Sequence, residues 1–249
     1  MKLSNILLLF CLLFTASCTR VEQVDWEDGI WIDLTHEFSE ETIYWPTSDT
    51  FQLDTVFSGE AEGGYYYEAY SFSSAEHGGT HLDAPIHFYE GGKSVEEIEI
   101  NQLTGSAVVI DVSEPVAENR DYQIQPSDIE FWEEEHGAIP EGSIVLFYTG
   151  MGAYWPDAEE YLGTANRGEE ALSELSFPGI HPDAAQWIVD NRNVKAVGLD
   201  TPSLDYGQSE LYEAHQILFE HNIAGFENVA NLDQTANNRR ICDCTTDEN

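Results

Sequence analysis

The sequence predicts a single α/β domain, and three observations carry that prediction. Short apolar runs at residues 107–112, 143–148 and 194–199 read as buried strands. Helix start signals, Pro126-Ser127-Asp128 and Pro182-Asp183, alternate with those runs. A chain of 249 residues without a Pro/Ser-rich linker or an internal repeat is long enough for one sizeable core and offers no obvious point of division.

From the start of the chain, residues 1–18 read as a signal peptide. Lys2 precedes an apolar run over residues 6–14, and the small residues Thr15-Ala16-Ser17 lead to Cys18. That run is about ten residues, half of what a membrane span needs. Thr15-Ala16-Ser17-Cys18 also has the look of a bacterial lipobox, so an exported protein anchored in the membrane by a lipid on Cys18 and a plainly secreted one both stay open. Residues 30–34 alternate apolar and polar like a half-buried strand, ahead of Thr35-His36. His36 either reaches a site or is a hydrogen-bonded strand-end histidine.

Tyr44-Trp45-Pro46 marks a turn bearing two aromatics. Residues 51–57 and 65–73 are strand candidates joined through Gly59, Gly63 and Gly64, and they deliver the chain to His77. The helix opened by Pro126 has an acidic body through Glu135 and stops at Gly137. Residues 151–176 form a polar stretch longer than an ordinary connection, either a lid or pocket wall or an elaborated surface loop. His181 stands where a capping or packing histidine would, before a helix over residues 182–190. The run Asp200-Thr-Pro-Ser-Leu-Asp205 follows a strand's C-terminal end, a common place for active-site loops. Asp200, Ser203 and Asp205 there either orient a ligand or serve their own backbone. His215 falls on an amphipathic helix ending near His221-Asn222, and Glu227 follows one short segment later.

Against 47 acidic residues stand nine Lys plus Arg, a balance that argues against nucleic acid or an anionic membrane as partner. After the signal peptide only Cys18, Cys242 and Cys244 remain, too few for a disulfide framework.

The chemistry concentrates in His77-Gly-Gly-Thr-His-Leu-Asp-Ala-Pro-Ile-His87. Gly78, Gly79 and Pro85 disfavour a helix, so an extended run is expected. Alternation then places His81 and Asp83 on one face and Leu82 on the other, toward a core, while the glycines fold His77 back. Two neutral imidazoles and a carboxylate suit a borderline divalent ion such as zinc or manganese, with positions left for water. His87 stands close by as a general acid or base. No G-x-S-x-G elbow and no phosphate-binding lysine after Gly78-Gly79-Thr80 are present.

This motif resembles the signature of the metal-dependent cyclase family, which includes bacterial kynurenine formamidases and isatin hydrolases. The resemblance implies a swivelling β/β/α-type fold with a mixed sheet or barrel-like core and flanking helices. It implies that His77, His81 and Asp83 bind one or two divalent ions, that Asp83 can bridge them, and that His87 moves protons. It completes the metal set with His215 and Glu227, and it places Tyr44, Trp45 and Thr80 at a substrate pocket suited to an aryl ring. It also implies a homodimer or larger homo-oligomer. The implied activity is metal-assisted hydrolysis of a small aryl amide: arylformamidase-like, on formylkynurenine, or isatin hydrolase-like, on a cyclic amide. An exported binding homologue without turnover is the reading of another class. The resemblance spans residues 30–233. Residues 234–249 depart from it as a polar tail where the family's last strand is expected, and Cys242 and Cys244 there could bind a soft metal.

Overall fold

A computed structural model describes residues 29–235 and the backbone of residues 241–242. The signal segment, Cys18 and Cys244 lie outside the described residues. Within them, no helix is long and apolar enough to cross a membrane.

The described chain runs through β1 (Gln52–Glu60), β2 (Tyr66–Ser73), β3 (His81–Asp83), β4 (Ser106–Asp111), α1 (Ser113–Glu118), β5 (Gln123–Ile124) and α2 (Pro126–His136). It continues through β6 (Ser143–Tyr148), α3 (Ala158–Leu162), β7 (Gly179–Ile180), α4 (Pro182–Asn191), β8 (Val194–Leu199), α5 (Glu213–Glu220), β9 (Ala224–Glu227) and β10 (Ile241–Cys242). The central sheet has the order β10-β4-β6-β8-β9-β3. Strands β4, β6, β8 and β9 are mutually parallel, and β3 and β10 close the two edges antiparallel. The sheet is therefore mixed and open, the first of the two forms the family resemblance allowed.

Period-two alternation explains how one continuous apolar run fills both faces of the sheet. Along β6, Val145 and Phe147 join a core with Ile129, Ile188 and Leu218 of the helices α2, α4 and α5. Ile144 and Leu146 point the other way, into a second core with Ile98, Leu103, Phe226 and Leu232. The helix starts follow their signals. The Asp128 carboxylate accepts from the Gln125 backbone at 2.7 Å, Gly137 ends α2 at φ 87°, and His181 caps α4 by accepting from the Asp183 N–H at 3.0 Å.

Two expectations are corrected. Residues 30–34 form no strand. Asp33 turns back on itself, its carboxylate accepting from the Thr35 N–H at 2.9 Å and hydroxyl at 2.6 Å, and this local turn competes with pairing. The chain there is held instead by Ala230 donating to the Leu34 carbonyl and Asn231 to the Asp33 carbonyl. Second, Gly59 lies within β1 rather than in the connection, which tightens to a turn closed by the Ala61 N–H on the Tyr65 carbonyl. Beyond β4 the edge of the sheet carries the two-residue strand β10. The remaining surprise is that β1 and β2 form a two-stranded sheet of their own.

Candidate metal centre

Strand β3 pairs antiparallel with β9, and the register sets His81 opposite Glu227 and Asp83 opposite Gly225. One strand pairing thus brings the motif to a glutamate far along the chain. Leu82 packs into the second core, so His81 and Asp83 face the opposite side together, as alternation predicts. Gly79, at φ 61°, makes the left-handed turn that folds His77 back, and the His77 Nδ1 lies 2.8 Å from Asp83 Oδ1. Gly78 is needed for space: a Cβ on it would stand 2.1 Å from the ring of Tyr44, whose backbone bridges Gly78. A 3-10 turn over Pro85–His87 carries His87 to 3.9 Å from Asp83 Oδ2 and stacks its ring on His77, centroids 4.0 Å apart. From the other side, α5 delivers His215, whose Nε2 lies 3.1 Å from Glu227 Oε1 and 3.4 Å from Asp83 Oδ2.

Four imidazoles and two carboxylates therefore converge. Asp83 is common to two ligand sets whose donor atoms lie within 4.8 Å of one another: His77, Asp83 and His87, and His81, Asp83 and Glu227. The first set groups His87 with the ligands, whereas the sequence reading kept it apart for proton transfer.

The donor chemistry fits a cation. The His81 Nδ1 sits 3.0 Å from the Gly79 carbonyl, which can only accept, so the hydrogen of a neutral ring is on Nδ1. Its buried Nε2 then turns a lone pair toward Asp83 Oδ1 at 3.2 Å and Glu227 Oε2 at 3.4 Å, and finds no hydrogen-bond partner among the described residues. Lone pairs from a nitrogen and two carboxylates repel unless a positive charge sits among them. Without an ion a proton takes that place. Burial opposes the charge on His81, but Asp83 and Glu227 outweigh it and raise its pKa to about 10. His215 is likewise raised against burial, by Asp205 first and then Asp83 and Glu227, while Asp83 is held well below the usual carboxylate range despite burial by His215, His77 and His81. A metal ion entering here displaces protons. On His87 burial prevails over the pull of Asp83 and lowers the pKa, which leaves the ring neutral at pH 7.

A cavity of about 260 Å³ opens above these groups. Tyr44, Trp45, Phe88 and Tyr212 wall it, with Ser48, Ser203 and Asn228 as polar lining. Trp45 meets Phe177 and Tyr212 edge-on, so it serves the core and the pocket at once. Thr80, expected at substrate, lines no part of the cavity. Its hydroxyl donates to the Asn228 carbonyl at 2.6 Å and accepts from the His36 N–H at 2.8 Å, pinning β3 to the neighbouring loops. Residues 151–176 also stay out of the lining. They brace the wall from behind through Arg167 on the Tyr44 and Ser48 carbonyls and Gly168 on the Pro46 carbonyl. His36 stacks on Trp155 at 4.1 Å with a buried Nε2 that has no hydrogen-bond partner among the described residues, and burial lowers its pKa to about 4 against the pull of Asp33.

The two carboxylates left open at the end of β8 take different roles. Asp200 serves the backbone, accepting from the Thr149, Gly150 and Gly152 N–H groups. Asp205 accepts from the His215 Nδ1 at 2.6 Å. Phe88 and Tyr212 were not anticipated as pocket walls.

This fold and site define a class, and the chain belongs to it: the family model described as "Putative cyclase" matches residues 32–206. His215 and Glu227 lie past that match and join the site through α5 and the β3–β9 register. Among individual relatives, the chain is 26% identical over 211 residues to a kynurenine formamidase of Bacillus cereus (strain ATCC 10987 / NRS 248), covering 83% of this chain and 84% of that one. It is 29% identical over 167 residues to an isatin hydrolase of Roseibium aggregatum, covering 64% of this chain and 61% of the relative. Among solved structures it superposes on isatin hydrolase A from Labrenzia aggregata with a TM-score of 0.71 and 32% identity, over 82% of this chain and 81% of that one.

Proposed function

We propose that this chain is a metal-dependent hydrolase of aryl amide bonds that holds its ion through His77, His81, Asp83, His215 and Glu227. One observation carries the reading: the buried Nε2 of His81, without a hydrogen-bond partner among the described residues, faces carboxylate oxygens of Asp83 and Glu227, two groups that line an aromatic-walled cavity. Imidazole and carboxylate donors in this mixture suit zinc or manganese, and the two ligand sets sharing Asp83 leave room for one ion or two.

A bound divalent ion would supply Lewis acidity to the substrate carbonyl and to a water. The chain's residues do the rest. Trp45, Phe88 and Tyr212 receive the aryl ring and exclude solvent around it. His87, exposed on its 3-10 turn and neutral, takes a proton from the attacking water through its ring nitrogen and returns it to the departing amide nitrogen. Asp83, 3.9 Å away, stabilises the imidazolium between those two transfers.

Two substrates of this class compete. An N-formyl aryl amine such as formylkynurenine has the kynurenine formamidase relative behind it, which matches 83% of this chain. A cyclic aryl amide such as isatin is favoured by the lining itself: among the described residues no Lys or Arg lines the cavity to meet an amino-acid carboxylate. Comparing kcat/KM for the two on one metal-loaded sample ranks them. Turnover of neither, in a folded sample with metal bound, contradicts the hydrolase reading and leaves a binding protein. Export, with or without a lipid on Cys18, is supported by residues 1–18 of the sequence.

A further inference from the structure

We infer that Asp205 is a positioning residue that fixes which ring nitrogen His215 turns toward Asp83 and Glu227, an inference that rests on the reading of His215 as a metal ligand. Asp205 is buried, and its carboxylate accepts four hydrogen bonds. Its Oδ2 accepts from the His215 Nδ1 at 2.6 Å and the His215 backbone N–H at 3.2 Å, and its Oδ1 accepts from the Ala214 N–H at 3.0 Å and the Ser209 hydroxyl at 3.3 Å. An ionised carboxylate has no hydrogen to give, so the short contact requires that His215 Nδ1 carry one. The lone pair is thereby fixed on Nε2, which lies 3.1 Å from Glu227 Oε1 and 3.4 Å from Asp83 Oδ2.

His81 reaches the same tautomer by a different device, the Gly79 carbonyl at 3.0 Å. The two histidines are thus held alike but not equally. A carboxylate behind an imidazole raises its basicity more than a carbonyl does, which makes His215 the stronger donor of the pair. The Asp205 loop is placed to hold this geometry without slack. Gly179 packs so closely behind it that a Cβ would come within 2.2 Å of the Asp205 carbonyl carbon, and the flanking backbone is tied down by Ile180 on the Leu204 carbonyl and Gly207 on the Phe177 carbonyl. No other acceptor stands at the His215 Nδ1 among the described residues' contacts, so the choice of nitrogen falls to Asp205.

Asp205→Asn is nearly isosteric and tests the point. If the amide turns its NH2 toward His215, Nδ1 becomes an acceptor, the hydrogen moves to Nε2, and the lone pair leaves the site. If it turns the other way, its NH2 opposes the Ala214 N–H and the loop is strained.

The experiment uses the full chain with Zn²⁺ for affinity and ¹¹³Cd²⁺ as the spectroscopic probe. In the wild type, ¹⁵N NMR should give cadmium coupling to His215 Nε2 and a hydrogen on Nδ1. Asp205→Asn should weaken Zn²⁺ binding about 10- to 100-fold in a chelator competition, while the metal-free variant still unfolds cooperatively. Coupling through Nδ1, or unchanged Zn²⁺ affinity in the variant, overturns the inference. Should Asp205→Asn fail to fold, the wild-type coupling decides alone. A folded wild type that binds neither ion overturns the parent reading, and this inference with it.

Discussion

Gly78→Ala is the smallest perturbation that should disable the site, because one methyl group meets the buried ring of Tyr44. The added Cβ would lie 2.1 Å from Tyr44 Cδ1 and Cε1, and Tyr44 is 2% exposed, so the ring can yield only by moving into the cavity it walls. Reaching an ordinary contact of 3.4 Å requires about 1.3 Å of relative movement. Gly78 has no left-handed φ, so alanine carries no backbone penalty there and the obstacle is steric alone. Overpacking of this kind costs about 1–3 kcal/mol, which in a chain this long lowers Tm by roughly 2–12 °C. The neighbouring residue is His77, and misplacing a catalytic group by about 1 Å costs on the order of 100-fold in rate. Thermal unfolding and kcat/KM read the two effects separately. Pairing Gly78→Ala with Tyr44→Ala removes every ring atom in collision, Cγ at 2.7 Å included, and should lose less stability than the two single variants summed. Wild-type stability and activity in Gly78→Ala would refute the packing argument.

Four further outcomes are expected. Asp83→Ala should empty the site and Glu227→Ala should weaken metal retention, whereas His87→Ala should keep most of the metal and lose the acid limb of the pH–rate profile. That limb should lie below the ordinary histidine value, with activity present above it and lost as pH falls through it. If His87→Ala empties the site in a metal analysis, His87 is a ligand and the assignment of proton transfer is wrong. His36 should stay neutral down to about pH 4. Its folded pKa is depressed, so between about pH 6.5 and 4 the unfolded chain binds the proton and the native state does not; stability falls as pH drops through that window. After allowance for solvent screening of a half-buried ring, the swing is roughly 1–2 kcal/mol. Denaturant unfolding of His36→Phe across the window should lack that share of the slope, and an identical slope would contradict it.

We also propose that the hairpin β1–β2 is where two copies of the chain meet. A lone two-stranded sheet is marginal in water, and Leu53, Val56, Phe57, Tyr65, Tyr66, Tyr67, Tyr70 and Phe72 are 39–66% exposed on it. By strand alternation Leu53, Tyr66, Tyr70 and Phe72 share one face, and at about 200 Å² for a large side chain that face leaves about 400 Å² exposed, the size of patch that marks an interaction site. Light scattering should find a dimer that Tyr66→Ser with Tyr70→Ser weakens, and a monomeric wild type would refute this.

The strands of the central sheet were readable because burial on both faces leaves a continuous apolar run with definite ends, as at Ser143–Tyr148 and Val194–Leu199. The motif was readable because alternation over His81, Leu82 and Asp83 fixes faces before any tertiary contact is known. His215 and Glu227 were legible only through family resemblance, since their meeting depends on a strand register and a helix position that no local pattern encodes. Phe88 directly follows His87 in sequence, so its place at the pocket had a signal that was not used. Tyr212 had none: its role follows from a left-handed φ of 52° just before α5. Residues 30–34 misled because alternation says which faces differ and nothing about whether a partner strand is within reach. Thr80 had no distinguishing signal, because a hydroxyl beside metal-binding side chains serves backbone groups as readily as substrate.

The most direct test of the central claim is metal removal and return on the purified, folded protein, followed by hydrolysis of formylkynurenine and of isatin. Chelation should abolish turnover of at least one of them, and zinc or manganese should restore it in proportion to the ion bound. Turnover that persists after complete chelation, or a folded protein that binds neither ion, would contradict it.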